Sequence, residues 1–117
     1  MNKRETGAHY EEVAVEYLKQ RGYHLLKKNY RCRQGEVDLI CRDGKYLVFI
    51  EVKYRTSPRQ GSGFAAVDAK KQRRISRVAA YYLLENQMGD ETPCRFDVVS
   101  IDGQQISLIK NAFDYCG

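Results

Sequence analysis

No apolar run in the chain approaches the roughly 20 residues that a membrane-spanning helix needs. The opening MNKRETGAHYEE has no apolar stretch behind its Lys and Arg. A secretory leader and a membrane partner are therefore not expected, and a cytoplasmic location is. The four cysteines, Cys32, Cys41, Cys94 and Cys116, show no C-x-x-C spacing, and His9 and His24 make no metal-ligand pair with them. Reduced, mostly buried thiols are the plain reading of that pattern. Neither an internal repeat nor a linker divides the 117 residues. A single domain over 1–117 is expected, large enough to bury a core without disulfide or metal staples.

What the chain does contain is charge and periodicity. Charged residues make up 30% and hydrophobic residues 43%, with a formal net charge of +5. The balance fits a globular protein, and its sign favours a polyanionic partner, although solubility alone explains many such charges. Tyr10, Val13, Ala14, Tyr17 and Leu18 recur at helical spacing, and Gly22 supplies a left-handed stop. YHLLKKNYR reads as a first strand. Asp43-Gly44 and Asp102-Gly103 read as turns of two hairpins. Val67, Ile75, Val78, Ala79, Tyr82 and Leu83 mark a second long helix, with Gly89 closing it. The segment RTSPRQGSG, from Arg55 to Gly63, reads as a loop. The order is α-β-β-β-α-β-β, which predicts an α/β fold with a mixed central sheet flanked by helices.

The charges of the first hairpin stand out. With Asp43 and Gly44 as the loop, Ile40 faces Leu47, Asp38 faces Phe49 and Glu36 faces Glu51. Val37, Leu39, Cys41, Tyr46, Val48, Ile50 and Val52 then share one face. The other carries Ile40, Leu47 and Phe49 near the turn, with Asp38, Glu36, Glu51 and Lys53 beyond them. Three carboxylates this close repel, and Lys53 offsets one charge at most. A hard divalent cation, best Mg²⁺, would offset the rest, because it binds through one or two carboxylates plus phosphates and water. A cross-strand salt bridge between Glu36 and Lys53 at the sheet's edge explains the same residues without a metal.

GEVDLI followed by FIEVKYR resembles the PD-(D/E)XK signature of the restriction-endonuclease-like nucleases. The pattern is most similar to Holliday-junction resolvases and, from about Gly7 to Phe113, to a small bacterial YraN-like family. The matching pieces are Glu11-x-x-Ala14-x-x-Tyr17-Leu18, Asn29-Tyr30-Arg31, Gly35-Glu36-Val37-Asp38, Phe49-Ile50-Glu51-Val52-Lys53-x-Arg55, Lys70, Arg95-Phe96-Asp97-Val98 and Asn111-Ala112-Phe113. Two positions depart from the pattern: Val37, where the signature's name has proline, and Tyr10, where the family usually has glycine. The resemblance implies a single nuclease-like domain in which Asp38, Glu51, Glu11 and the carbonyl of Val52 hold Mg²⁺, or Mn²⁺ as a substitute. It also implies that Lys53 orients the attacking water or stabilises charge growing on the phosphoryl oxygens. Glu36 is read either as a support to that centre or as a plain salt-bridging residue.

The segment KKQRRISR sets Lys70, Arg73, Arg74 and Arg77 on one helix face, a stripe suited to neutralising phosphates with little sequence preference. Alone, such a stripe is equally a solvated helix surface. Arg31, Arg33, Arg55 and Arg59 cluster near the acidic end of the hairpin and could add phosphate contacts. Three functions follow from these features. The first is a Mg²⁺-dependent, structure-selective DNA endonuclease, a homodimer if it makes paired cuts. The second is a catalytically silent nucleic-acid-binding module on the same fold. The third is a scaffold whose basic helix takes an acidic partner.

Overall fold

A computed structural model describes residues 2–55 and 67–116. Helix α1 (Lys3–Gln20) begins at Asn2, whose side chain accepts the backbone N–H of Glu5 at 2.8 Å. That bond satisfies one of the donors a helix start leaves open. The helix closes at its cap Arg21, and Gly22 just beyond it has a φ of 88°, the left-handed turn expected there. Strands β1 (His24–Cys32), β2 (Gly35–Asp43) and β3 (Tyr46–Arg55) follow, then helix α2 (Ala69–Glu85), β4 (Cys94–Asp102) and β5 (Gln105–Ile109). Helix α2 stops at Asn86 and Gln87, the latter at φ 57°, and so ends before Gly89. The tyrosines of its last turns divide, Tyr82 being buried and Tyr81 exposed.

The five strands lie in sequence order, and every neighbouring pair is antiparallel except β3 with β4, which is parallel. A parallel neighbour requires a crossover, and α2 lies within the segment joining β3 to β4. The sheet is thus mixed, with both of its faces covered, in the element order that the sequence predicts. On one face Leu39, Cys41, Val48, Ile50, Val99 and Ile101 pack against Ala14, Val15 and Leu18 of α1. On the other, Ile40, Leu47, Phe49, Phe96 and Val98 pack against Ile75, Val78, Ala79 and Tyr82 of α2. Each Val, Leu, Ile or Phe among them, fully buried, contributes roughly 1.5–3 kcal/mol. Central strands buried on both faces explain why β3 reads as a nearly continuous apolar run.

Both hairpins turn one residue later than expected. Asp43 pairs with Tyr46, leaving Gly44 and Lys45 as the loop, and Asp102 pairs with Gln105, leaving Gly103 and Gln104. Gly44 has φ 60° and Gly103 φ 63°, so glycine takes the first loop position, as a type II′ turn requires. The register of β2 on β3 therefore shifts by two residues. An even shift leaves every side chain on its face, which preserves the face assignment around the turn.

The turn end is locked by a polar cluster. Arg95 donates to both oxygens of Asp97 at 2.9 Å, to the Tyr23 hydroxyl at 2.8 Å and to Asp43 at 2.7 Å. Asp97 also accepts from the Tyr23 hydroxyl at 2.8 Å and from the backbone N–H of Asn111 at 2.9 Å. Ala112 N–H bonds the Phe96 carbonyl at 2.7 Å, and the Phe113 ring stacks on Phe96. The Arg95-Phe96-Asp97 and Asn111-Ala112-Phe113 pieces are thus two halves of one clasp on the C-terminal segment. Removing a partner from a buried ion pair strands the other charge, so Asp97→Ala should cost about 3 kcal/mol or more. Urea unfolding should show this as a large drop in midpoint, whereas Glu12→Ala, at the exposed Lys28 pair, should scarcely move it.

Candidate functional site

The shifted register brings the acidic residues together. The β2–β3 ladder runs from Asp43 opposite Tyr46 out to Leu39 opposite Ile50, and stops there. The next pair outward would set Asp38 against Glu51. Like charges facing one another across a ladder are unfavourable, and at this level the two strands part while β3 continues beside β4 as far as Arg55 opposite Asp102. Parting leaves the backbone N–H of Val52 without a strand partner on β2, and the Asp38 side chain takes it, accepting at 2.8 Å.

The strand alternation breaks at the same place. Val37 packs in the α2-side core although Leu39, two residues on, packs in the α1-side core. The expected single face from Val37 to Val52 is therefore interrupted at Asp38. Strand β1 kinks with it. Lys28 pairs with Glu12 of α1, whereas the Tyr30 hydroxyl donates to Glu85 of α2 at 2.7 Å, and Asn29 between them has φ 52°. Asparagine is one of the few side chains that enter this conformation at modest cost. The Asn29 amide donates to Glu11 at 2.9 Å, which fixes Glu11 beside the fork.

On the α2 side the fork opens into a cavity of about 240 Å³, lined by Glu36, Asp38, Glu51, Val52, Lys71, Arg74 and Ile75. Glu51 is buried, at 4% exposure, and pairs with Lys71, whose Nζ lies 2.9 Å from its Oε2. Burial, reinforced by the negative charge of Glu51, pushes the Asp38 carboxyl up to about 7; Glu11 adds to the rise, while the Val52 N–H and Lys71 oppose it. Burial works against the charge of Lys71, yet Glu51 outweighs it, with Asp38 and Glu36 assisting, and holds the ammonium above its ordinary value.

Among the residues expected at the site, Asp38, Glu51, Val52 and Arg74 meet at this cavity. Glu11 is not in its lining; it stands at Asn29, near enough for its charge to act on Asp38. Lys53 lies opposite Ser100 on β3, half-buried and outside the lining. Lys70, Arg73 and Arg77 are exposed on α2. Arg31 pairs with Glu36 at 2.9 Å, and Arg55 donates to Asp102 at 3.1 Å. The expected loop beyond Arg55, with Arg59, lies outside the described residues.

Lys71 is the residue that the motif reading passes over. Its signal lies in the helical period: it precedes Ile75, Val78, Ala79 and Tyr82 on the buried stripe, where a lysine needs a buried acid as its partner. Arg74 owes its position to Gly35, at φ 142°, where an added Cβ would lie 2.7 Å from the arginine Cγ. Only glycine lets the arginine stem pass so close.

The donor set suits a hard cation. Two carboxylates, one of them buried, and a nearby strand carbonyl offer oxygen ligands and uncompensated negative charge, and Mg²⁺ commonly uses only one or two carboxylates. Among the described residues no group of three or more His, Cys, Asp and Glu is gathered as a complete protein cage. Asp38, Glu51 and Val52 would be the holders, with water or substrate completing the shell.

Fold and cavity together define a small α/β protein whose mixed sheet opens at one end into a carboxylate cleft beneath a basic helix. Residues 10–101 match the family described as "Uncharacterised protein family UPF0102", and the chain belongs to it. This is the YraN-like group that the sequence resembles. A UPF0102 protein of Lachnoclostridium phytofermentans is 51% identical over 117 residues, covering 100% of this chain and 99% of the relative. One from Legionella pneumophila strain Corby is 45% identical over 112 residues, covering 94% and 95%. One from Caldicellulosiruptor saccharolyticus is 45% identical over 119 aligned positions, covering 97% and 100%.

The raised Asp38 carboxyl makes stability depend on pH. Its folded value of about 7 exceeds the unfolded value of about 3.9, so the folded state holds the proton more tightly. The contribution is fully present below about pH 4 and lost as pH rises through about 7, a change on the order of 4 kcal/mol. In chelator, the melting temperature of the wild type should fall between pH 5 and 8. Asp38→Asn, which keeps an oxygen for the Val52 N–H, should flatten that slope and be the more stable protein at pH 8.

Proposed function

We propose that this protein is a metal-dependent endonuclease that hydrolyses phosphodiester bonds in DNA, structure-selective for branched or single-stranded substrates and resolvase-like. The observation that carries the reading is the meeting of Asp38 and Glu51 at the β2–β3 fork, beneath Lys71 and Arg74 of α2. Phosphodiester hydrolysis needs a Lewis acid on the non-bridging oxygen, an activated water and a cation where charge develops. A divalent metal supplies the first and acidifies the water. Asp38 and Glu51 would hold the metal with the Val52 carbonyl, and Glu11 would support the centre from α1. The Val52 N–H fixes one oxygen of Asp38, and the other carries no hydrogen bond among the described residues. Lys53, on the face of β3 that carries Glu51, orients the water or meets charge on the phosphoryl group.

Substrate is held by phosphate contacts. Exposed Lys70, Arg73 and Arg77, with Arg74 at the cavity, form a stripe that tracks a backbone without reading bases. Arg31 and Arg55, paired with Glu36 and Asp102, lie at the same end of the sheet and extend it. A cytoplasmic location and a homodimer making paired cuts belong to the same reading. The second reading, a nucleic-acid-binding module without turnover, draws on Lys71, which already neutralises Glu51 from within the protein.

Cleavage of junction, flap, single-stranded and duplex DNA in Mg²⁺ or Mn²⁺ tests the choice. Glu51→Gln should abolish cleavage, and Lys53→Ala should reduce it on the order of a hundredfold or more while the protein stays folded. Binding without cleavage of any of these substrates selects the silent module. Replacing Arg73, Arg74 and Arg77 with Gln should weaken binding to all sequences alike. It should also lower the slope of log affinity against log salt by about one for each lost phosphate contact.

A further inference from the structure

The cavity at the fork is lined by cations from one helix and carboxylates from two strands, and one direct ion pair joins the two sets. In it the Glu51 side chain is 6% exposed and the Lys71 side chain 44%. The pair is therefore asymmetric. Glu51 is fixed in the core of β3, where a carboxylate without a partner is costly. Lys71 reaches it from the helix surface on a flexible stem that can move its ammonium into water at little cost. Asp38 is held differently, by a backbone N–H that cannot leave without moving β3. Arg74, one turn away, makes no ion pair among the described residues, and Glu36 is already taken by Arg31.

Building on the endonuclease reading, we propose that Lys71 is a positioning residue that competes with the divalent cation for Glu51 and passes to a phosphate oxygen of the substrate, so that metal and nucleic acid bind with positive coupling. Charge sets the direction. The cavity sets three carboxylates, Glu36, Asp38 and Glu51, against two cations, Lys71 and Arg74, and the deficit favours a cation. With Asp38 and Glu51 committed to a divalent cation, Lys71 loses its partner and the cavity gains a net positive charge, which favours one phosphate. A phosphate that takes the Lys71 ammonium in turn frees Glu51. Thermodynamic reciprocity makes the two effects equal.

Mn²⁺ binding to the full chain, followed by the electron paramagnetic resonance signal of free Mn²⁺ at pH 7.5, tests the competition. Lys71→Met should bind Mn²⁺ about tenfold more tightly than the wild type, within the ordinary range of such couplings. A cleavage-resistant phosphorothioate single strand or junction should bind the wild type more tightly with Mn²⁺ than without, and that gain should shrink in Lys71→Met. If the methionine variant does not fold, Lys71→Gln carries the same expectations. Mn²⁺ affinity unchanged or weakened in the folded Lys71 variants, with binding still dependent on Glu51, would overturn the competition alone. Indistinguishable binding by wild type, Lys71→Met and Glu51→Gln, or no binding by any of them, would take the metal away from Glu51 and overturn the endonuclease centre as well.

Discussion

Repulsion between Asp38 and Glu51 governs the end of the sheet where the candidate site lies. Two carboxylates at the same level of adjacent strands cannot both be buried and ionised without compensation. The protein answers in three ways at once. The strands part, so that Asp38 bonds the Val52 N–H in place of a ladder partner. Lys71 descends from α2 to Glu51. Asp38 retains its proton to a higher pH than an ordinary carboxyl. Apolar packing docks α2 on the sheet; the parting of the strands and the cavity between helix and sheet accommodate that one pair.

The opposite end of the sheet solves a similar problem to a different outcome. Arg95, Asp97, Tyr23 and Asp43 also bury charge, but each finds its partners within the protein. Among the described residues no buried side-chain nitrogen or oxygen lacks a hydrogen bond. At the turn end the polar atoms lock the C-terminal segment to β4, with the Asn111 N–H on Asp97 and the Ala112 N–H on Phe96. At the fork, the second Asp38 oxygen and the Arg74 guanidinium have no hydrogen-bond or ion-pair partner among the described residues. The two ends show how one sheet can carry a structural polar cluster and a chemically available one without confusing them.

Much of this was legible in the sequence, because helix and strand periods are set by backbone geometry and survive tertiary packing. The stripe Ala14, Tyr17 and Leu18 gives α1, and the apolar stretch Tyr46 to Ile50 gives the doubly buried β3. The mixed sheet and element order follow from these. The turns were placed one residue early because Asp-Gly fits a type I′ loop, whereas both glycines here open a II′ loop. That slip hid the confrontation of Asp38 with Glu51, although face parity survived it. The break at Val37 and Asn29 could not be read, since it arises from a clash of charges across strands. Lys71 was visible as a lysine on an apolar stripe, but its partner Glu51 lies 20 positions away in number and on another element.

Gly35 connects the backbone to the charge field in a way that no ionisable residue does. By having no side chain, it fixes how near the Arg74 stem comes to the sheet, and so where a permanent positive charge stands relative to the carboxylate cleft. The strength of this electrostatic surface is therefore set partly by a neutral residue. A side chain at this position would move that charge relative to the carboxylates while leaving net charge, and with it solubility, untouched.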